Sequence, residues 1–309
     1  MRVLITGGCG FIGANLVRRL AGRPGLELVV FDNESLGRRE HLGEFGGRFI
    51  CGDMRDRAAL DGALAGVDVV VHLAADTRVI ESIANPAHNF DVNVVGGLNL
   101  LEAMRAAGAP RLINASTGGA IIGEADPPVH ERMLAQPLAP YGAGKLAMEG
   151  YCSAYAGSYG LETLSLRFSN VYGPGSRHKG SVVAAFFKRL IAGQPLVVYG
   201  DGGQVRDFVY VDDLCDGILA AMDSRVCGVI QLGSGRPVSV AGLIEAMRAA
   251  TAPAPIAVTH EPARAGEVAA TWCDIAKARA VLGFSPDTAL QLGLERTWRW
   301  FVNEFEVAI

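Results

Sequence analysis

Met1-Arg2-Val3-Leu4-Ile5-Thr6-Gly7-Gly8-Cys9-Gly10-Phe11-Ile12-Gly13 opens the chain, and its reading decides the fold. A short apolar run rich in Val and Ile passes into glycines at positions 7, 10 and 13. An apolar, helix-compatible stretch (Phe11, Ile12, Leu16, Val17, Leu20) follows at once. Strand, glycine loop and helix in that order form the first unit of a dinucleotide-binding fold. The glycines let the backbone approach a pyrophosphate, and the helix N-terminus faces its charge. A glycine triplet alone is a weak signal in a chain with 39 glycines; its position directly behind a strand gives it weight.

Working outward, Leu26-Glu27-Leu28-Val29-Val30-Phe31 reads as a second strand, with Asp32 at its C-terminal end, nineteen positions past Gly13. A carboxylate there accepts hydrogen bonds from the adenosine ribose hydroxyls and repels a 2′-phosphate, so it favours NAD over NADP. Arg38 and Arg39 lie beyond the acidic residue.

Strands and helices then alternate. Arg48–Cys51, Val67–Leu73, Arg111–Ala115 and Leu161–Phe168 read as strands, and Pro86–Ala107 and Leu138–Tyr159 as two long helices. This alternation predicts an α/β fold, a Rossmann-like doubly wound parallel sheet with helices on both faces. From Gly173 the pattern loosens, with helices expected near Val182–Ala192, Val240–Thr251 and Leu290–Phe305. The expected division is a dinucleotide-binding domain over 1–170, with 205–232 returning to it, and a smaller substrate lobe over 171–309 at the C-terminal edge of the sheet.

Composition narrows the function. Of 309 residues half are apolar and 19% charged, and the net charge of −4 lacks the basic excess of a nucleic-acid binder. No apolar run is long enough for a membrane span, and the first strand turns glycine-rich too soon for a signal peptide. Six cysteines without a C-x-x-C pair read as thiols of a reducing cytoplasm. His72, His130, His178 and His260 have no metal-ligand spacing, and no metal is expected.

Tyr141-Gly142-Ala143-Gly144-Lys145 is the second strong signal. Residues four apart share a helix face, so the ammonium sits beside the phenol and is expected to lower its pKa toward neutrality. With seven tyrosines and four lysines in the chain, random placement gives only about 0.1 such pair. Ser116 and Thr117 follow a strand end, placed to hydrogen-bond a sugar hydroxyl.

Together these residues resemble the extended short-chain dehydrogenase/reductase family, and within it the nucleotide-sugar 4-epimerases of the UDP-glucose/UDP-galactose type. Several segments carry the resemblance: Thr6–Gly13, with the family's G-x-x-G-x-x-G spacing, Asp32-Asn33, Gly52-Asp53, His72–Ala75, Asn93, Ser116–Gly123, Tyr141/Lys145, Arg167–Pro174, Gly200–Gly202, Arg206–Asp213 and Arg264–Glu267. The resemblance implies NAD contacts at Gly7, Gly10, Phe11, Ile12, Gly13, Asp32, Asn33, Asp53, Met54, Leu73, Ala74, Ala75, Asn93, Tyr141, Lys145 and Phe168. It implies Tyr141 as the base, Lys145 as its partner and a ribose ligand, and Thr117 as the hydroxyl that orients the substrate. It assigns the UDP-sugar to Thr77, Arg78, Ser116, Thr117, Asn170, Val183, Arg206, Arg264, Glu267 and Thr271. A homodimer through the two long helices is implied likewise.

Departures bear on the reaction. Ile122 stands where the family usually has a tyrosine before the glycine, and Glu267 where Asp is commoner. Related 4,6-dehydratases and uronate decarboxylases commonly carry an acid just after the Ser/Thr; here Gly118 and Gly119 carry no proton-transfer group. Arg78 keeps a uronic acid open as the epimerase substrate. The opposing class, an NAD-binding sensor or scaffold, has no need of Thr117, Tyr141 and Lys145 together.

Overall fold

Alternate residues of the N-terminal strand, Val3 and Ile5 on one side and Leu4 on the other, are all fully buried, as a parallel sheet covered on both faces requires. A computed structural model describes residues 1–263 and 268–305. Twelve strands are described: β1 (Arg2–Thr6), β2 (Glu27–Asp32), β3 (Arg48–Cys51), β4 (Val69–His72), β5 (Arg111–Thr117), β6 (Glu162–Phe168), β7 (Asn170–Tyr172), β8 (Leu196–Tyr199), β9 (Val205–Tyr210), β10 (Gly228–Leu232), β11 (Pro237–Ser239) and β12 (Val258–Glu261). The helices are α1 (Phe11–Leu20), α2 (Arg57–Ala63), α3 (Val79–Ala84), α4 (Pro86–Phe90), α5 (Gly96–Ala107), α6 (Gly119–Ile122), α7 (Pro140–Tyr159), α8 (Val182–Ile191), α9 (Val211–Asp223), α10 (Val240–Thr251), α11 (Ala276–Leu282) and α12 (Leu290–Glu304).

Seven strands pair in parallel in the order β10-β6-β5-β4-β1-β2-β3. The order reverses between β1 and β4, and the crevice beyond their C-terminal ends is where this architecture binds ligands. Leu16, Val17 and Leu20 of α1 join Leu214 and Ile218 of α9 on one face. Leu60 of α2, Leu100 and Met104 of α5, and Met148 and Cys152 of α7 cover the other. A third core, with Phe186, Phe187, Phe208, Met247 and Phe301, ties α8, α10 and α12 to β9.

The segment read as one helix over Pro86–Ala107 differs. A π-helical turn at Asp91–Val95 separates α4 from α5. Such a turn inserts an extra residue and rotates the side chains around it. Here it leaves Asn93 buried, bonded to Asp76 both ways: the Asp76 amide donates to Asn93 Oδ1 at 2.9 Å, and Asn93 Nδ2 donates to the Asp76 carbonyl at 2.9 Å. Hydrophobic spacing does not register one inserted residue, which is why the sequence reads as continuous.

Candidate active site

The glycine loop between β1 and α1 holds Gly7 at φ +70°, and a Cβ there would lie 2.6 Å from the Ala74 amide nitrogen. A Cβ at Gly13 would collide with the Gly7 carbonyl. The loop is therefore bare backbone, and Gly10 as N-cap lays no side chain over the first amides of α1. These groups fit a pyrophosphate. Asp32 is buried at the end of β2; its Oδ2 accepts from the Cys9 amide at 2.9 Å and its Oδ1 from the Glu34 amide at 2.8 Å. Each oxygen keeps a second lone pair, enough for a ribose diol. Burial raises the Asp32 pKa, and the two amides draw it part of the way back.

Asn33 Nδ2 donates to Asp53 Oδ2 at 2.9 Å, joining the loops after β2 and β3. The Arg55 guanidinium holds Asp53 well below the usual carboxylate range. Met54 packs against Gly96, where a Cβ would come within 2.8 Å of the Met54 Cβ. At the switch point the Thr6 hydroxyl and His72 Nδ1 share a buried hydrogen bond of 2.8 Å. Burial, then the Lys145 charge, pushes the His72 pKa down to about 3. Leu73, Ala74 and Ala75 follow directly, along the crevice.

Tyr141, Lys145 and Glu149 succeed one another on the buried face of α7. Lys145 Nζ donates to the Ala115 carbonyl of β5 at 2.9 Å, and the Tyr141 amide donates to Ser82 Oγ at 3.2 Å. Thr117 ends β5 with its side chain in hydrogen-bonding reach of the Tyr141 phenol. The electrostatics correct one expectation. Burial pushes Tyr141 up to about 12, with Thr117 lowering it only in part, and Lys145 itself is pushed down to about 8, chiefly by burial. In so dry a site, desolvation outweighs what Thr117 returns to Tyr141 and what Cys152 and Glu149 return to Lys145.

Sequence reading missed Glu149. Ser116 Oγ donates to its Oε1 at 2.6 Å, and Arg167 grips both oxygens at 2.9 and 2.7 Å. The spacing of Tyr141, Lys145 and Glu149, each four residues on, carried that signal. Asp207 was missed as well: its buried carboxylate accepts from Ser169 Oγ, from the amide and hydroxyl of Ser234, and from the amides of Gly235 and Cys273, at 2.7 to 3.2 Å. It ties three segments, at Ser169, Ser234–Gly235 and Cys273, to β9. No motif distance announces such a hub.

On the opposite side of the crevice, Asn170 Nδ2 donates to the Asp207 carbonyl at 3.1 Å, and Arg206 Nη1 donates to the carbonyl of Val205 at 2.9 Å. Thr271 lies against the loop after Thr117: a Cβ at Gly119 would be 3.3 Å from Thr271 Oγ1. Val183 is buried in the third core, in the first turn of α8. Ile122 is buried in the first core. Phe168 closes β6, and its carbonyl accepts from the Gly118 amide at 3.0 Å. Arg78 is engaged by Asp76 through two bonds of 2.9 and 2.7 Å, and Thr77 accepts from Lys179 Nζ at 3.0 Å. Arg264 and Glu267 lie outside the described residues. Among the described residues, no group of three or more His, Cys, Asp or Glu side chains could hold a metal, and no helix is long and apolar enough to cross a membrane.

Known proteins are similar to this chain over nearly its whole length. The UDP-glucose 4-epimerase of Mycolicibacterium smegmatis is 37% identical over 314 residues, covering 98% of this chain and 99% of its own. A UDP-glucose 4-epimerase of Thermotoga maritima, solved with UDP-glucose, superposes with a TM-score of 0.93 at 36% identity, covering 98% of this chain and 99% of its own. The Thermus thermophilus UDP-glucose 4-epimerase, solved with NAD, gives 0.90 at 38% identity and covers all of both chains. Residues 3–233 match the family profile itself, and the chain belongs to the NAD dependent epimerase/dehydratase family.

Proposed function

We propose that this protein interconverts the C4 epimers of a UDP-hexose, with NAD as its cofactor. The observation that carries the reading is the convergence of Thr117, Tyr141 and Lys145 at the switch-point crevice beside a loop with no acid. A side chain at Gly118 would meet Gln231 Oε1 at 2.7 Å, so an acidic residue could not enter there without displacing it. That speaks against a 4,6-dehydratase, and the family likeness to UDP-glucose 4-epimerases supports the epimerase.

The glycine loop, the uncapped α1 N-terminus and Asp32 fit NAD. When bound, it supplies the acceptor and donor of the C4 hydride. As a phenolate, Tyr141 takes the proton of the 4-hydroxyl and later returns it, with Thr117 holding that hydroxyl toward the phenol oxygen; burial alone keeps the phenol protonated, and the positive charge of oxidised NAD would favour the phenolate. Lys145, one helical turn further along the same buried face of α7, brings a cationic group to the site. Asn170, Arg206 and Arg264 anchor the diphosphate, the arginines through their fixed forks. The 4-keto sugar turns over while its nucleotide stays held, so either face can be presented.

The oligomer belongs to the same proposal. Ile80, Ile83, Phe90 and Tyr151 are exposed on α3, α4 and α7, and they make the interface of a homodimer. All six cysteines are free, which suits a reducing cytoplasm.

Chromatography of UDP-sugars after incubation with the pure protein tests the activity, together with identification of the nucleotide released on denaturation. A UDP-hexose should equilibrate with its 4-epimer, and NAD rather than NADP should be released. Tyr141→Phe should lower turnover roughly 10²–10⁴-fold with UDP binding intact. Formation of a 6-deoxy-4-keto product would make the enzyme a dehydratase, and retained NAD without turnover of any UDP-sugar would make it a sensor.

A further inference from the structure

Lys179, in the loop between β7 and α8, is a cation whose side-chain hydrogen bond goes to a neutral hydroxyl. Its ammonium crosses the crevice to donate to Thr77 Oγ1 at 3.0 Å, and among the described residues it forms no ion pair. The carboxylate acting on it is Asp76, but both Asp76 oxygens are already gripped by Arg78, at 2.9 and 2.7 Å. Further positive charge stands near. Lys188 Nζ donates to the Lys179 carbonyl at 2.9 Å, and the Lys179 charge helps depress the pKa of Lys145. Of the four lysines in the sequence, three (Lys145, Lys179 and Lys188) therefore gather around this end of the crevice. Burial lowers the pKa of Lys179 and of Lys188. A half-buried ammonium whose side-chain partner is a neutral hydroxyl is held at a cost, and a charge-assisted bond to an anion removes it.

We propose that Lys179 is a binding residue for an anionic group of the nucleotide sugar, exchanging its contact with Thr77 for that group, an assignment that rests on the UDP-sugar reading of the site. Two groups of such a ligand carry the charge: the diphosphate common to all UDP-sugars, or a carboxylate on the hexose. If it is the carboxylate, Lys179 rather than Arg78 selects an acidic sugar, because the Arg78 fork is committed to Asp76.

Calorimetric titration of the protein with its retained cofactor, using UDP, UDP-glucose and UDP-glucuronate, tests this in wild type, Lys179→Met and Lys179→Arg. Lys179→Met should bind roughly 10–100-fold more weakly, the equivalent of one hydrogen bond to a charged group, and Lys179→Arg should recover most of the loss. An equal loss for all three ligands identifies the diphosphate; a loss confined to UDP-glucuronate identifies the carboxylate. Should Lys179→Met fail to fold, Lys179→Gln, which can still bond to Thr77, takes its place with the same expectation. Wild-type affinities in the neutral variant overturn the assignment, as does a variant that loses only its retained NAD. A wild type that binds none of the three ligands overturns the UDP-sugar reading itself.

Discussion

Thr271 is proposed as the side chain that sets which sugar fits. It sits at the mouth of the glycine pair after Thr117, its Oγ1 3.3 Å from where a Gly119 Cβ would be. The resemblance to nucleotide-sugar epimerases implies that a large tyrosine at this position restricts N-acetylated sugars. On that reading, the smaller Thr271 is proposed to leave room for a C2 acetamido group as well as a hydroxyl. Thr271→Tyr should therefore depress kcat/KM for UDP-N-acetylhexosamines about 10-fold or more beyond its effect on UDP-glucose, since overfilling a packed site typically costs about 1–3 kcal/mol. Steady-state kinetics on both substrates decide it, and equal losses would show that Thr271 does not wall the sugar pocket. Tyr141 carries a different lesson. The phenol and ammonium were legible from their spacing, but their protonation was not, because burial is a property of everything packed around them.

Helices and strands meet their ends here with side chains that serve the crevice. The π-turn at Asp91–Val95 turns Asn93 inward to fix the Asp76 backbone, and the last residues of β1 and β4 are joined by the Thr6–His72 bond. That bond has a pH consequence. His72 titrates near 6.5 in the unfolded chain and at about 3 in the folded one. Between those values the unfolded chain takes up a proton that the folded protein refuses, so stability falls as pH drops through the window. His72→Asn, which keeps a polar partner for Thr6, should remove this dependence. In urea unfolding the stability of wild type relative to the variant should fall by roughly 2 kcal/mol between pH 7 and pH 5. A difference that stays constant across that range would mean that His72 titrates in the folded protein as it does in the unfolded chain.

The proposed homodimer rests on the outer surfaces of α3, α4 and α7. Ile80 is 68% exposed, Ile83 59% and Phe90 54%, an apolar cluster larger than a lone surface side chain explains. Sedimentation equilibrium should give a mass near twice the chain's 32.5 kDa, and Phe90→Arg should shift it toward the single-chain value. A wild-type monomer at micromolar concentration would leave this face without the partner proposed for it.

Local chemistry was readable from the chain alone wherever one short segment carried it. The β1 loop and its glycines, Asp32 at a strand end, and the Tyr141/Lys145 helix face each need only neighbours in sequence, so their spacing encodes them and the parallel order that links them. Tertiary packing decided the rest. Glu149, Asp207 and Lys179 acquire partners 18 to 102 residues away, across β6, β9 and the crevice. The π-turn is an insertion that hydrophobic periodicity averages over. Solvent exclusion reversed the pKa expected for Tyr141, because desolvation sums over every atom that excludes water, whereas a motif records one neighbour.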